Sequence, residues 1–236
     1  MKIDIIKEHK DYLVINKPAG LVVHATGNRA GGKNLADLLV EDYPELVGVG
    51  DDPLRPGIVH RLDKNVSGLL VIARSQEMFN CLKKQFQSRK INKVYAALVY
   101  GATSKDYDTI NFPIKRSTKG FKMAAKPLGT PINDDVRDAK TFFDVTKRLI
   151  NYTFMSVKIT TGRTHQIRCH LTAYGYPIVG DDLYSTKTTR IKNKKINLGR
   201  VFLCATTLGF RDLEGEWQEL KIDLPKDLKE FLKYAK

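Results

Sequence analysis

The pattern of hydrophobic and polar positions along the chain alternates between two periods. Helical spacing predicts helices that begin after Asn34, after Ser75, at His165 and at Pro225. Strands outnumber helices and several form adjacent hairpins, so we predict an α/β (α+β) fold with a mixed, mostly antiparallel sheet and packed helices. Short apolar runs bounded by turn residues predict the strands, which cover Tyr12–Asn16, Gly57–Leu62, Leu69–Ala73, Lys93–Tyr100, Lys140–Lys147, Tyr152–Thr160, Val201–Leu208 and Glu216–Ile222.

One carboxylate stands where packing does not explain it. Asp63 follows the apolar run 57–62 and is surrounded by the polar residues His60, Arg61 and Lys64. Polar groups are unfavourable to bury unless they are partnered, so their density in one apolar hairpin favours a chemical role. The alternative, an ordinary aspartate in a turn, stays open on local sequence alone. The residues expected to form that turn are Lys64, Asn65, Ser67 and Gly68.

A second polar segment, residues 161–170, supplies a candidate partner for this carboxylate. Arg168 falls near the edge of the apolar side that Ile167 and Leu171 mark on the predicted helix. An arginine in such a place needs a carboxylate or a phosphate. Pairing with Asp63 would keep the acid ionised and oriented, as a nucleophile or a base requires. The alternatives are an RNA phosphate or a distant acid.

Tyr95 is the third candidate, inside the predicted strand 93–100. A buried aromatic residue at this place needs no special explanation. A phenol at the edge of a cavity could instead stack on a base or move a proton.

The composition fits a globular protein with a sizeable core. A length of 236 residues with 42% hydrophobic content fits one compact unit or two closely joined lobes. No apolar run approaches the roughly 20 residues that span a bilayer, and the N-terminal residues lack a signal-peptide stretch, which favours the cytosol. The three cysteines show no CxxC spacing, so we expect free thiols and no metal site.

The net charge of +14 is unevenly distributed along the chain. Three segments contain several bases and no acid: residues 78–105, 115–126 and 183–200. Solvated lysine-rich faces would explain any one of them, whereas three together favour a polyanion as partner. A membrane surface is a weaker explanation, because none of the three has a strongly amphipathic helical pattern. We predict that 115–126 and 183–200 are long loops or hairpins.

Five motifs in one order resemble those of a known family. They are YLVINKPAGLVVHAT, PGIVHRLDKNVSGLLVIAR, KVYAALVYG, TGRTHQIRCHLTAYGYPIVGDDLY and VFLCATTLGF. In sequence and order these resemble the RluA family of RNA pseudouridine synthases, from about residue 10 to about residue 225. The resemblance departs from the usual pattern at Asn65 and Val66, at Ser185, at Cys204 and at Arg211-Asp212. None of these departures removes a catalytic position.

The resemblance implies a reaction and a role for each matching residue. Uridine in RNA would be isomerised to pseudouridine by base flipping, with no cofactor and no metal. Asp63 would be the catalytic aspartate, Tyr95 would stack on the uracil and help remove the C5 proton, and Arg168 would hold Asp63. The substrate-binding residues would be Arg61, which enters the RNA, Ile167, which shapes the base pocket, and His60, Arg163 and Lys93. His60, Gln166 and the Gly180-Asp181 turn would also give structural support.

Several further expectations follow from this resemblance. The substrate would be large-subunit ribosomal RNA, transfer RNA or both, and the carboxylate could act on the ribose or on the uracil ring. Because the motifs begin about ten residues from Met1, we expect a single catalytic domain over 1–236, with no separate N-terminal RNA-binding domain, acting as a monomer. The alternative is an RNA-binding or ribosome-assembly factor on the same fold whose catalysis is dispensable. A metal-dependent nuclease is disfavoured, because the chain lacks clustered carboxylates.

Overall fold

The computed structural model describes residues 2–24, 32–117, 120, 122–126 and 136–235. Within these ranges the helices are α1 (Leu35–Asp42), α2 (Gln76–Gln87), α3 (Gln166–Ala173), α4 (Lys187–Ile196) and α5 (Lys226–Tyr234). A 3-10 turn covers Pro44–Leu46. The strands are β1 (Asp4–Glu8), β2 (Tyr12–Lys17), β3 (Ser67–Ala73), β4 (Asn92–Tyr100), β5 (Tyr107–Ile110), β6 (Ile114–Arg116), β7 (Met123–Ala125), β8 (Thr141–Arg148), β9 (Tyr152–Ile159), β10 (Leu203–Arg211) and β11 (Trp217–Lys221).

The chain forms two compact units, each built on its own strands. The first comprises Met1–Asn92 and Ala205–Ile222, and the second comprises Lys93–Cys204 and Asp223–Lys236. The pairings β1–β2, β2–β3 and β10–β11 in the first unit are antiparallel, as are β4–β9, β8–β9, β5–β8 and β6–β7 in the second.

The first unit buries β3 completely, because all seven residues of SGLLVIA are apolar or small. The amphipathic helix α2 covers one face of these strands with Met78, Phe79 and Leu82. Ser75 caps this helix by accepting a hydrogen bond from the Met78 amide at 3.1 Å, and Asn34 caps α1 in the same way. Both caps agree with the helix starts that the sequence predicts.

The second unit arranges its main strands in the order β4–β9–β8–β5, with α3 lying against β7 and β8. Helix α3 begins at Gln166, one residue later than predicted, and His165 is its N-cap in the left-handed conformation with φ of 54°. Pro225 is likewise the N-cap of α5, and Lys226 occupies the first helical position that we expected Pro225 to hold. None of the helices in the described ranges is long and apolar enough to cross a membrane.

The segments on both sides of Asp63 differ from the sequence-based expectation, and β1 and β5 were not predicted. Residues 57–62 were expected to be a strand, but only an isolated bridge between Ile58 and Ile72 forms there. Gly57 has φ of +69°, and a Cβ on it would lie 2.3 Å from the Ala73 carbonyl oxygen, so the backbone turns instead of continuing a ladder. Ser67 and Gly68, expected in the turn, belong to β3.

The two long basic segments have different structures from one another. Residues 115–126 contain part of the β6–β7 hairpin, as predicted, although 118, 119 and 121 lie outside the described residues. Residues 183–200 were predicted to be a loop or hairpin and contain helix α4 instead. This helix begins with a capping box, in which Thr186 accepts from the Thr189 amide at 3.1 Å and Thr189 Oγ1 accepts from the Thr186 amide at 2.9 Å.

The contact between Gly68 and Ala205 gives a test of the first unit. Gly68 has φ of +121°, and a Cβ there would lie 2.3 Å from the Ala205 carbonyl oxygen. Gly68→Ala should lower the free energy of unfolding in urea by about 3 kcal/mol or more, because it adds a backbone clash to backbone strain. Gly215→Ala is the matched control, since it has φ of +82° with nothing within 4 Å, and it should lose only about 1 kcal/mol. Equal losses in the two variants would contradict this assignment.

Candidate active site

Asp63 lies half-buried in a tight turn immediately before β3. The Val66 amide donates to the Asp63 carbonyl oxygen at 3.1 Å and closes the turn. The next carbonyl, that of Lys64, accepts from the Gly20 amide at 2.8 Å and from Lys17 Nζ at 3.2 Å. The Gly20 amide and the Lys17 ammonium therefore fix the backbone of the turn that carries Asp63.

Lys17 is a supporting residue that sequence reasoning missed. Its side chain is 0% exposed, and its ammonium donates to the carbonyl oxygens of Pro18 at 2.7 Å, Leu21 at 2.9 Å and Lys64 at 3.2 Å. Three carbonyl partners satisfy the three donors of an ammonium. The available signal was a lysine at the end of the apolar strand YLVINK, directly before a Pro-Ala-Gly turn.

His60 and Arg61 precede the turn and have different surroundings. His60 Nε2 accepts from the Val71 amide at 3.1 Å, and its ring packs against that of Phe86 in a tilted arrangement, with 4.7 Å between the ring centroids. The His60 side chain thus takes the place of a backbone acceptor beside β3, and its role in the site stays a prediction. Arg61 is exposed, with Nη1 3.3 Å from His24 Nε2. Burial, and then the charge of Arg61, lower the pKa of His24 below its usual range.

Tyr95 and Lys93 lie two residues apart on β4 in the second unit, so their side chains leave the same face of the strand. Tyr95 is buried and opposite Val157 on β9. Lys93 is 8% exposed, and burial lowers its pKa to about 8. A Cβ on Gly162 would lie 3.7 Å from Lys93 Nζ, which places this ammonium beside the loop that leads into α3.

Arg168 is buried on α3 and forms a two-point ion pair with Asp181. Its Nε donates to Asp181 Oδ2 at 2.7 Å and its Nη2 donates to Oδ1 at 3.0 Å. Asp181 Oδ1 also accepts from the amides of Leu183 at 3.1 Å and Tyr184 at 2.9 Å. Asp181 is the distant acid that the sequence left open as a partner of Arg168. This contact occupies one edge of the guanidinium, and pairing with Asp63 stays a prediction.

Gln166 holds the loop before α3 in one conformation. Its Oε1 accepts from Thr161 Oγ1 at 2.8 Å and from the Arg163 amide at 3.1 Å. Its Nε2 donates to the Lys140 carbonyl oxygen at 3.0 Å and to Thr141 Oγ1 at 3.1 Å. The backbone of Arg163 is thereby fixed, and its side-chain Nε donates to the Asp138 carbonyl oxygen at 3.1 Å.

His170 is the second supporting residue that the sequence did not single out. It is fully buried, with Nε2 2.7 Å from the Phe112 carbonyl oxygen and Nδ1 2.9 Å from Thr141 Oγ1. A carbonyl can only accept, so Nε2 carries the proton of the neutral ring. Burial lowers the pKa of His170, which keeps the ring neutral. Ile167, on the same helix, is buried as the apolar residue that was predicted to shape a pocket.

The structure therefore divides the candidate residues between its two units. The first unit holds Asp63, Arg61 and His60, and the second holds Tyr95, Lys93, Ile167, Arg168 and Arg163. Among the described residues, no group of three or more His, Cys, Asp or Glu side chains could hold a metal ion.

The Lys17 ammonium gives a test of how the Asp63 turn is supported. Lys17→Met should lower the free energy of unfolding by about 3 kcal/mol or more, because three carbonyl oxygens lose a charged donor. Lys64→Met, at an exposed side chain in the same turn, is the control and should change it by about 0.5 kcal/mol or less. Urea titrations of both variants measure this difference, and a comparable small change for Lys17→Met would rule out the supporting role.

Lys93 predicts a pH dependence of stability. Its folded pKa of about 8 lies below the ordinary value of 10.5, so the folded protein releases this proton at lower pH than the unfolded chain. The penalty of burying the charge is fully present below pH 8 and is relieved as the pH rises from 8 towards 10.5. From pH 7 to pH 10, the free energy of unfolding of the wild type should increase by up to about 3 kcal/mol relative to that of Lys93→Met.

The control for this titration is Lys158→Met on the neighbouring strand β9. The Lys158 side chain is exposed and lies opposite Val94, so its difference from the wild type should be the same at both pH values. A constant difference for Lys93→Met as well would contradict the depressed pKa.

Comparison with known proteins identifies the family. A family model described as RNA pseudouridylate synthase matches residues 11–173. An "Uncharacterized RNA pseudouridine synthase" of Chloroflexus aurantiacus is 43% identical over 215 residues, covering 90% of this chain and 63% of that protein. The "Ribosomal large subunit pseudouridine synthase D" of Haemophilus influenzae is 35% identical over 243 residues, covering 99% of this chain and 71% of that protein. The chain thus spans about two thirds of the length of these relatives.

The fold agrees with this relationship. The structure titled "Human RNA Pseudouridylate Synthase Domain Containing 4" superposes with a TM-score of 0.76 at 26% identity, covering 98% of this chain and 92% of that one. The likeness confirms the predicted α/β class with a mostly antiparallel sheet. The family model spans the motifs around Asp63, Tyr95 and Arg168, and the chain belongs to the RNA pseudouridylate synthase family.

Proposed function

We propose that this chain converts uridine to pseudouridine in large-subunit ribosomal RNA, with Asp63 as the catalytic carboxylate. The observation that carries the proposal is the support of the Asp63 turn by the buried Lys17 ammonium and the Gly20 amide, both on the Lys64 carbonyl. Catalysis requires a reacting group held to within about 0.5 Å. An aspartate that served only to form a surface turn would not need a buried cation behind its backbone.

The reaction explains why the family uses these residue types. The uracil must leave the ribose, rotate and rejoin through carbon, so the target nucleotide has to leave its stack at a cost of about a few kcal/mol. Asp63 acts either on the ribose or on the ring, and both routes need an ionised carboxylate in a fixed orientation. Tyr95 supplies an aromatic face for the uracil and a phenol near the C5 proton.

The remaining candidates bind and position the nucleotide in this proposal. Ile167 forms the apolar wall of the base pocket, and the exposed guanidinium of Arg61 enters the RNA where the nucleotide has left. His60, Lys93 and Arg163 hold the surrounding backbone and contact the substrate. Arg168 holds Asp63 in one orientation, as the family resemblance implies.

Ribosomal RNA of the large subunit is the proposed substrate because relatives such as the Haemophilus influenzae protein carry that substrate in their names. Transfer RNA is the second substrate to test. In both, a loop is favoured over a helix, because loop bases are already partly unstacked. We propose that the enzyme works in the cytoplasm, as a monomer and as a single catalytic domain.

Replacing Asp63 tests the proposal directly. Asp63→Asn should lower the rate of pseudouridine formation by roughly a thousandfold or more, because the amide can act neither as a base nor as a nucleophile. RNA affinity should change by less than about twofold, since the isosteric amide keeps the shape of the turn. Release of tritium from C5-labelled uridine in large-subunit and transfer RNA transcripts measures turnover, and filter binding measures affinity.

The control is Asp42→Asn at an exposed aspartate that ends α1, and it should retain full activity. Near-normal turnover by Asp63→Asn would exclude the catalytic role. If the Asp63→Asn protein also restored growth and ribosome assembly to cells lacking this gene, the chain would be an RNA-binding assembly factor whose catalysis is dispensable.

A further inference from the structure

Helix α4 presents a strongly cationic surface to solvent. Of its ten residues only Thr189 and Asn193 are buried, and Ile191 is the one large apolar side chain that is exposed, at 59%. All charged side chains on this helix are basic, and we call them the α4 cationic face; they are Lys187, Arg190, Lys192, Lys194 and Lys195.

The cations of this face lack the acidic partners that other surface lysines have. Lys83 lies 2.5 Å from Asp51, and Lys229 lies 2.8 Å from Asp223. In the part of the chain that the structure describes, none of the five α4 cations forms an ion pair with a carboxylate. Lys192 Nζ lies 5.6 Å from the Tyr100 ring centroid and Arg190 Nε donates to Ser185 Oγ at 3.3 Å, but neither contact neutralises the charge, which is left for solvent or for an anionic partner.

This charge opposes formation of the helix that carries it. Arg190 is three residues from Lys187 and four from Lys194, and like charges at these spacings are neighbours on one helical face. Lys187, the first helical residue, also stands at the positive end of the helix dipole. Lys194 and Lys195, in the last turn, are favourably placed for the dipole, but the like-charge pairs of Arg190 with Lys187 and Lys194 and the position of Lys187 are not explained by helix folding, and binding to a polyanion would relieve that repulsion.

Asn193 fixes α4 to the turn that positions Arg168. Its Oδ1 accepts from Tyr100 Oη at 2.7 Å and from the Gly180 amide at 2.9 Å, and its Nδ2 donates to Asp182 Oδ1 at 3.1 Å. Between these two anchor points lies Asp181, which holds Arg168. Gly180 also packs tightly, since a Cβ there would lie 1.9 Å from the Arg200 carbonyl oxygen.

We propose that the α4 cationic face binds phosphates of the RNA that flanks the target uridine. This inference rests on the proposed function and names the surface that gives the site its affinity. Phosphate contacts by Lys and Arg fix the position of an RNA without reading its sequence. Since Asn193 links α4 to the Gly180–Asp182 turn, an RNA bound there is held at a fixed position relative to Arg168. A membrane is a poorer partner, because α4 has no apolar face to insert.

The test removes three charges and measures the salt dependence of RNA binding. The variant K187Q/R190Q/K194Q keeps good helix formers on α4, so its melting temperature should be unchanged or higher. The slope of log K against log salt concentration should fall in magnitude by about 2 to 3, and affinity in 0.1 M salt should fall roughly tenfold or more. KM should rise accordingly, with kcat within about twofold at saturating RNA.

A charge-matched control separates a specific surface from net charge. The variant K226Q/K229Q/K233Q removes three lysines from α5 in the same unit, and its slope and KM should stay within error of the wild type. Equal effects of the two triple variants, or an unchanged slope for the α4 variant, would overturn the inference. Each single substitution on α4 should lower the slope by about 1, which keeps the test informative if the triple variant folds poorly.

Binding and turnover are measured separately, so the two proposals can fail separately. If the wild type binds RNA but forms no pseudouridine, the proposed function fails, and loss of the slope in the α4 variant would still establish the docking surface. If both proteins form pseudouridine with the same KM, the docking surface is wrong and the proposed function stands.

Discussion

The second unit depends on a buried ion pair between Arg168 and Asp181. Both side chains are removed from water, so each charge is tolerable only because the other is present and hydrogen-bonded. Asp181 meets this condition with four donors, two from the guanidinium and two from the Leu183 and Tyr184 amides. Any displacement of α3 relative to the turn after Ile178 would leave a buried charge unpaired, and this penalty fixes the position of Arg168 more sharply than apolar packing could.

In the first unit, a single buried cation, the Lys17 ammonium, fixes the position of the Asp63 turn. The Lys17 ammonium joins the 17–21 segment to the Lys64 carbonyl, so the two loops are held at one separation. Functional residues commonly lie on loops that a rigid scaffold positions. In this family member, the scaffold reaches the Asp63 loop through a charged side chain whose three donors are all satisfied by backbone oxygens. A neutral side chain of similar length could not make three such bonds.

Apolar periodicity and capping residues were sufficient to predict most elements, including the capped starts of α1 and α2 and the buried strand β4. They failed where polar side chains decide the backbone. Helix α4 has no apolar stripe, and it forms because Thr186 and Thr189 cap it and Asn193 is bonded on both sides by a distant turn. Residues 57–62 have a strand-like pattern, yet His60 Nε2 takes the Val71 amide and Gly57 turns the chain. Neither effect produces a periodic pattern of hydrophobic residues, so hydrophobic periodicity cannot predict either of them.

In the candidate site, too, the sequence predicted some residues and missed others. The residues that would meet the nucleotide, such as Asp63, Tyr95 and Ile167, were recognisable because their types and order match a family's motifs. Lys17, which supports the Asp63 turn, and Asn193, which anchors α4 to the 180–182 turn, were not recognisable, because a buried lysine and a helical asparagine look like surface residues in a sequence. The partners of Lys17 are backbone carbonyl groups, and those of Asn193 are the Gly180 amide and the side chains of Tyr100 and Asp182, and no local sequence pattern predicts these pairings. The motifs therefore indicate the chemistry of such an enzyme, whereas the positions of the reacting groups depend on buried polar residues that a sequence pattern does not distinguish from surface residues.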